Sequence, residues 1–169
     1  DDIRITNGIK TNDTFEILDY AQVTAATNTH GYIWAKQGSE TLIRYADISE
    51  NGTNTIYKNG VSFYSVDGSI ANSGVTIDKS RIHDGYYGVY LSGSSNNNTT
   101  TSKGISNNSV YGNIYGIYLY SSSNNTLTSN LTYGNSNYGI ILNSNFNNTL
   151  TSNSAYGNNT GIYLYISSN

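Results

Sequence analysis

Short apolar runs recur in the second half of the chain, and hydrophobic and polar side chains alternate within each run. The apolar pairs are Ile117 and Leu119, Ile140 and Leu142, and Ile162 and Leu164, and Gly, Asn and Ser bound each run. Alternation with a period of two is typical of a β-strand that buries one face. The pattern therefore predicts short strands separated by tight turns, with these six side chains, Leu127 and Leu150 inside.

These runs belong to a repeat. Residues 108–129, 130–152 and 153–169 align at a period of 22 to 23 residues, and the third copy stops partway. The equivalent apolar positions along the whole chain, 34, 28, 22 and 23 residues apart, are Ile43, Ile77, Ile105, Leu127 and Leu150. Short strands at this spacing can each pair in parallel with their copy one turn later. The sequence predicts an all-β fold, a single-stranded parallel β-helix with coils of about 22 residues and longer, irregular coils on the N-terminal side.

The repeat defines one domain over residues 1–169. Residues 41–169 contain the recognisable repeats, and residues 1–40 are expected to form irregular first coils. Neither end of the sequence carries a pattern typical of a capping helix, which a solenoid needs to cover its last coil. We therefore expect the domain to be part of a longer chain or of a polymerising assembly.

The repeat resembles a known family. Each copy reads N-x-h-x-x-N/G, then G-I-x-L, then S-x-x-N-x-h, where h is hydrophobic, as in the segment from Asn130 to Ser152. This pattern resembles the right-handed parallel β-helix repeat of the NosD-like family, also called carbohydrate-binding and sugar-hydrolase repeats, in its surface-protein type. The resemblance covers residues 41–169. It implies the fold and leaves the function open, because the family includes periplasmic accessory proteins, epimerases, lyases and surface-layer-type proteins.

Composition narrows the possible partners. The chain has a net charge of −3, no Cys, no Met and two His, and its last charged residue is Lys103. Without a basic stripe it has no electrostatic basis for binding nucleic acid, and no apolar run is long enough for membrane insertion. A soft metal would find few ligands here. We expect no cofactor and no metal.

One group of charged residues could carry chemistry. If coils stack in the repeat frame, Asp47 lies over Arg81, Ser49 over His83, and Glu50 over Asp84, each about 4.8 Å apart. Two carboxylates beside an Arg and a His could bind Ca²⁺ or act as an acid and a base. The alternative is an ordinary ion pair with solvated carboxylates, which we favour, since the polygalacturonase and epimerase motifs are absent. No catalytic residue is assigned.

Tyrosines form the other candidate site. Strand alternation points two sets of tyrosines outward: Tyr90, Tyr118, Tyr120, Tyr163 and Tyr165 in one, and Tyr111, Tyr133 and Tyr156 in the other. Stacked aromatic rings stabilise neighbouring strands, which is one explanation for both sets. The other is a binding surface for sugar rings or for an identical neighbouring molecule.

These observations favour a non-catalytic β-helix at the cell surface or outside the cell, more consistent with a structural protein than with an enzyme. Its expected partners are copies of itself, stacked head to tail into a filament or sheath. The residues around Tyr163 to Tyr165 would then dock on those around Ile3 to Thr6 of the next copy. The alternative is a module that binds or acts on polysaccharide, through the tyrosines or the polar residues. Accessory metal handling is a third possibility, disfavoured by the shortage of ligands.

Overall fold

The computed structural model describes the strands within residues 3–36 and residues 40–49, 60–66, 74–93 and 104–166.

Each complete coil that the structure describes contains three strands. Coil 1 contains β1 (Ile3–Ile5), β2 (Thr14–Ile17) and β3 (Gln22–Thr24), and coil 2 contains β4 (Ile33–Lys36), β5 (Glu40–Arg44) and β6 (Asp47–Ser49). Coil 3 contains β7 (Gly60–Tyr64), β8 (Gly74–Asp78) and β9 (Arg81–His83), and coil 4 contains β10 (Tyr87–Ser92), β11 (Gly104–Ser106) and β12 (Ser109–Tyr111). Coil 5 contains β13 (Tyr115–Tyr120), β14 (Thr126–Thr128) and β15 (Leu131–Tyr133), and coil 6 contains β16 (Tyr138–Asn143), β17 (Thr149–Thr151) and β18 (Ser154–Tyr156), followed by β19 (Thr160–Tyr165).

The strands form three parallel sheets. Sheet A runs β1-β4-β7-β10-β13-β16-β19, sheet B runs β2-β5-β8-β11-β14-β17, and sheet C runs β3-β6-β9-β12-β15-β18. Every strand thus pairs with its counterpart one coil away. The predicted all-β parallel β-helix is confirmed. Among the residues that the structure describes, no helical segment has the length and apolar character that a bilayer crossing requires.

The core is a set of columns that run along the helix axis. One column lies on sheet B and consists of the equivalent apolar residues of the repeat, each paired in register with the next: Ile43, Ile77, Ile105, Leu127 and Leu150. Ile117, Leu119, Leu127, Ile140 and Leu142 are fully buried, as predicted. Leu150 is partly buried, whereas Ile162 is 46 % exposed and Leu164 is 49 % exposed. Both of these exposed residues lie on β19, and no further described coil packs against it.

Buried asparagines connect the late coils. In one column, the side-chain Oδ1 of Asn130 accepts a hydrogen bond from the backbone N–H of Asn108, and Asn153 does the same for Asn130, at 3.2 and 3.0 Å. Their Nδ2 groups donate to core-strand carbonyls, as from Asn130 to Ile105 at 2.7 Å. A second column repeats this arrangement with Asn113, Asn135 and Asn158. The Asn-rich composition therefore satisfies backbone groups that the turns would otherwise leave unpaired inside the protein.

A glycine begins the inward run of each late sheet A strand. A Cβ at Gly139 would lie 2.6 Å from the carbonyl oxygen of Gly161 and 2.7 Å from Oγ1 of Thr132, so a larger residue does not fit. At the equivalent Gly88, the register between β7 and β10 shifts between Tyr87 and Val89. This bulge changes which side of the sheet the preceding tyrosine occupies, because strict alternation is interrupted.

Candidate functional site

The charged residues lie together on sheet C, at the junction of coils 2 and 3. Asp47 pairs with Arg81 and Ser49 with His83, which is the register expected from the repeat. Glu50 falls outside the described residues, so its expected position over Asp84 stays a prediction. We call Asp47, Arg81, His83 and Asp84 the polar cluster.

Within the polar cluster the side chains bind one another. Nη2 of Arg81 forms a short contact with Oδ2 of Asp47. The His83 ring lies between two carboxylates, with Nε2 2.7 Å from Oδ1 of Asp47 and Nδ1 2.7 Å from Oδ2 of Asp84. Arg81 and Asp84 are more than half exposed. Both ring nitrogens of His83 are therefore engaged, and the arrangement matches the ion-pair alternative more closely than an open acid-base site.

A column of stacked rings continues from His83 along sheet C. The centroid of the Tyr111 ring lies 4.7 Å from that of His83, with the ring planes 7° apart. Tyr133 stacks on Tyr111 at 4.8 Å and 12°, and Tyr156 stacks on Tyr133 at 5.5 Å and 8°. We call Tyr111, Tyr133 and Tyr156 the tyrosine column. Since each ring covers the face of its neighbour, the sides of the column present ring edges rather than faces.

A broader group of tyrosines covers the outer side of sheet A. Tyr90 and Tyr118 are paired in register and meet edge to face at 5.3 Å, as the outward prediction required. Beyond Tyr118 the row is interrupted, because Ile141 lies between Tyr118 and Tyr163. Asn143 likewise separates Tyr120 from Tyr165, and its Nδ2 donates to the hydroxyl of Tyr118 at 3.1 Å. The exposed fractions of Tyr120, Tyr163 and Tyr165 are 41 %, 37 % and 49 %.

Sequence reasoning missed a row of tyrosines on the same face. Tyr87, Tyr115 and Tyr138 are paired in register, and the rings of Tyr87 and Tyr115 stack at 4.9 Å. Tyr87 also stacks on Tyr90 at 4.9 Å, although the two are three positions apart on one strand. The available signal was the Tyr-Gly pair that precedes three of the apolar runs, at Tyr87, Tyr115 and Tyr138, because the glycine interrupts alternation and turns that tyrosine outward. We call the whole surface the tyrosine face; its members are Tyr87, Tyr90, Tyr115, Tyr118, Tyr138 and Tyr163.

Crowding on the tyrosine face affects its phenols. Burial, followed by the neighbouring phenols, raises the pKa of Tyr87 far above its usual range. Burial also raises the pKa of Tyr90 and of Tyr118, and the hydrogen bond from Asn143 partly offsets the rise at Tyr118. These three phenols therefore keep their protons in neutral and mildly alkaline solution.

Comparison with known proteins identifies the family. Residues 17–169 match the model of a family described as "Periplasmic copper-binding protein (NosD)". The chain belongs to the NosD family. A search of curated proteins and a search of solved structures each found no match.

The NosD description raises the question of whether this chain could hold copper. The sequence offers no Cys and no Met, and of its two histidines His30 lies outside the described residues. Both nitrogens of His83 already face carboxylates, and no group of three or more His, Cys, Asp or Glu in the described parts of the chain is placed to hold a metal ion. Copper favours thiolate, thioether and imidazole ligands. The described residues of this NosD chain do not fit copper.

Proposed function

We propose that this chain is a non-catalytic structural element of the cell envelope that functions by making contacts through side chains on its outer surface. The periplasmic description of the NosD family agrees with a location outside the cytoplasm. The observation that carries the proposal is the tyrosine face, a partly exposed aromatic surface without acidic or basic side chains that extends from coil 4 to β19. An aromatic surface of this kind is typical of a contact surface.

We propose further that the partner is another copy of the chain. The residues from 104 onward carry no charged side chain, so like surfaces would approach without electrostatic repulsion. Side-by-side contact through the tyrosine face would add to end-to-end stacking. In that stacking, strands of a second copy would pair with β17, β18 and β19 and cover the half-exposed Ile162 and Leu164. Such a head-to-tail contact propagates as a filament or sheath.

Sedimentation velocity over a range of concentrations, with electron microscopy of the same samples, tests the assembly. The parent chain should form filaments, and Leu164→Asp should shorten or abolish them because the new charge lies in the stacking surface. Thr128→Asp is the matched control, since it adds the same charge at an outward-facing, partly exposed position of β14, one coil inside the strands that the stacking would use. A parent that stays monomeric at every concentration, or two variants that behave alike, would rule out end-to-end assembly.

Polysaccharide binding is the second candidate, and the polar character of the tyrosine tips favours it. Because rings such as Tyr87 and Tyr115 cover each other's faces, a glycan would meet mainly edges and hydroxyls, and binding would depend on hydrogen bonds. Affinity electrophoresis in gels that contain a panel of polysaccharides distinguishes this candidate from self-assembly. If the gel retards the parent chain and Tyr163→Ser weakens this retardation, glycan binding is favoured. Cleavage of a polysaccharide that depends on Arg81 or Asp84 would instead favour an enzyme.

A further inference from the structure

The tyrosine column differs from the rest of the aromatic surface in its regularity. Its rings come from three successive coils and are paired in register, Tyr111 with Tyr133 and Tyr133 with Tyr156. Their planes are within 12° of parallel, and their centroids are 4.8 and 5.5 Å apart. Equivalent carbon atoms of neighbouring rings are therefore held close to one another by the sheet itself.

We propose that the tyrosine column is a site of oxidative cross-linking, at which hydrogen peroxide and a peroxidase-type one-electron oxidant join rings of adjacent coils as dityrosine. This modification goes beyond the structural role proposed above and does not depend on filament formation. It would link coil 4 to coil 5, or coil 5 to coil 6, through a covalent bond between side chains.

The chemistry balances without any group from the protein besides the two phenols. Each tyrosine loses one electron and its phenolic proton to give a tyrosyl radical. The two radicals form a carbon–carbon bond between ring positions ortho to the oxygens, and the two ortho hydrogens then move to the phenolic oxygens. In total, two tyrosines and one hydrogen peroxide give one dityrosine and two water molecules.

Geometry favours coupling in this column. Radical coupling needs two rings close together for longer than a radical survives, and a fixed neighbour supplies a high effective concentration of the second ring. Tyr156 is 56 % exposed, which gives a diffusing oxidant access to one end of the column. At the other end, His83 occupies the stacking position, so coupling is confined to the three tyrosines.

Two further features of the chain point the same way. The sequence has 17 tyrosines and no cysteine, so phenol coupling is open to it as an oxidative cross-link, whereas a disulfide is not. The end of the column is also more accessible than the end of the tyrosine face: Tyr156 is 56 % exposed, whereas Tyr163 is 37 % exposed and its ring is tilted by 30° from that of Tyr138. The column is accordingly expected to react before the tyrosine face.

The test is to treat dilute, folded protein with peroxidase and hydrogen peroxide. Dityrosine fluorescence and the loss of two hydrogen atoms from the mass of the monomer report the reaction. Thermolysin, which cuts beside aliphatic residues, releases the linked peptides, since residues 104–169 have no Lys, Arg, Asp or Glu for the common specific proteases. We expect peptides that join Tyr133 to Tyr111 or to Tyr156.

Tyr133→Phe keeps the ring stack but removes the central phenol, and it should lower intramolecular dityrosine by at least about tenfold, because Tyr111 and Tyr156 are not neighbours. The matched control is Tyr120→Phe, which removes an exposed phenol whose ring meets Tyr118 edge to face at 74° and should leave the yield unchanged. Circular dichroism verifies that both variants fold. The proposal is overturned if links arise only between molecules, if they map to the tyrosine face, or if protein unfolded in urea gives the same pairs at the same rate.

Discussion

The early coils, β4 to β9, and the late coils, β11 to β18, share one backbone path but are connected by different side chains. Equivalent residues of successive coils occupy the turn between the sheet B strand and the sheet C strand: Ala46, Ser80, Asn108, Asn130 and Asn153. The Ser80 hydroxyl accepts a hydrogen bond from the N–H of Ala46 at 3.2 Å, and from Asn108 onward a side-chain amide takes over this role. The early coils add an exposed ion-pair network, whereas the late coils contain no charged residue.

The difference shows that a parallel β-helix can be held in register by either kind of polar contact. Buried amides keep their strength regardless of pH and salt because they carry no charge and are shielded from water. The contacts of the polar cluster are partly exposed, so ions and solvent weaken them. The two halves should therefore respond differently to the same change in solution conditions.

The largest expected effect comes from breaking an amide column. Asn135 is 2 % exposed; its Oδ1 accepts from Asn113, and its Nδ2 donates to the carbonyl of Val110 at 3.1 Å. Asn135→Ala leaves these buried groups without partners and should lower the free energy of unfolding by roughly 2–4 kcal/mol. Urea unfolding measures it, and the loss should be the same in low and high salt.

Asn159→Ala is the control for this experiment, because Asn159 is an exposed residue next to the same column. Its effect should stay within about 0.5 kcal/mol. Equal losses for the two variants would mean that asparagine content, rather than the column, stabilises the late coils.

A smaller effect concerns alkaline solution, where tyrosines are the titrating side chains of the late coils. Burial raises the pKa of Tyr118 above its usual 10.0, so the folded chain keeps a proton that the unfolded chain loses. The contribution of the protonated Tyr118 phenol to the free energy of unfolding is complete below about pH 10. It is lost as the pH rises through the raised pKa of the folded chain. Tyr118→Phe should cost about 0.5–1.5 kcal/mol at neutral pH, where it loses the bond from Asn143, and less at about pH 11.

Urea midpoints of parent and variant at the two pH values give the comparison, and tyrosinate absorbance follows the titration directly. If the gap between parent and Tyr118→Phe widens in alkali, the phenol is not protected by burial in the folded chain.

The smallest effect is expected in the early coils. Asp47→Asn removes the charge that faces both Arg81 and His83, but Arg81 is 61 % exposed, so the loss should be about 0.2–1 kcal/mol. It should shrink further in about 1 M salt, where charges are screened within about 3 Å. A loss that matches that of Asn135→Ala, or one that salt leaves unchanged, would remove the distinction between the two halves.

Sequence reasoning recovered what the repeat period determines. Asp47 was placed opposite Arg81 because the 34-residue step from Ile43 to Ile77 holds for their neighbours as well. It did not find that His83 also reaches Asp47, which is a diagonal contact between coils that depends on side-chain rotamers.

Alternation predicted the outward side of Tyr90 and Tyr118 but not that of Tyr87. On strict alternation Tyr87 shares a side with Val89, and the bulge at Gly88 cancels this. The stacking angles within the tyrosine column could not be predicted either, because the sequence gives the positions of the tyrosines along the chain but not the orientations of their rings.

The corners of the late coils also bear on glycosylation. Asn107, Asn124 and Asn147 are exposed and have positive φ values of 54°, 56° and 52°, a conformation that asparagine tolerates better than most residues. Each precedes a buried asparagine and then the Ser or Thr that opens a strand, so each reads as an N-x-S/T acceptor triplet. Asn130 forms the same triplet but is 1 % exposed and hydrogen-bonded, which would keep its amide from an enzyme acting on the folded chain. Acceptor triplets therefore recur at these turns for reasons of backbone geometry. In a host that modifies them, sugars would lie one above the other at Asn124 and Asn147, before the sheet B strands of adjacent coils, with a further sugar at Asn107, before a sheet C strand.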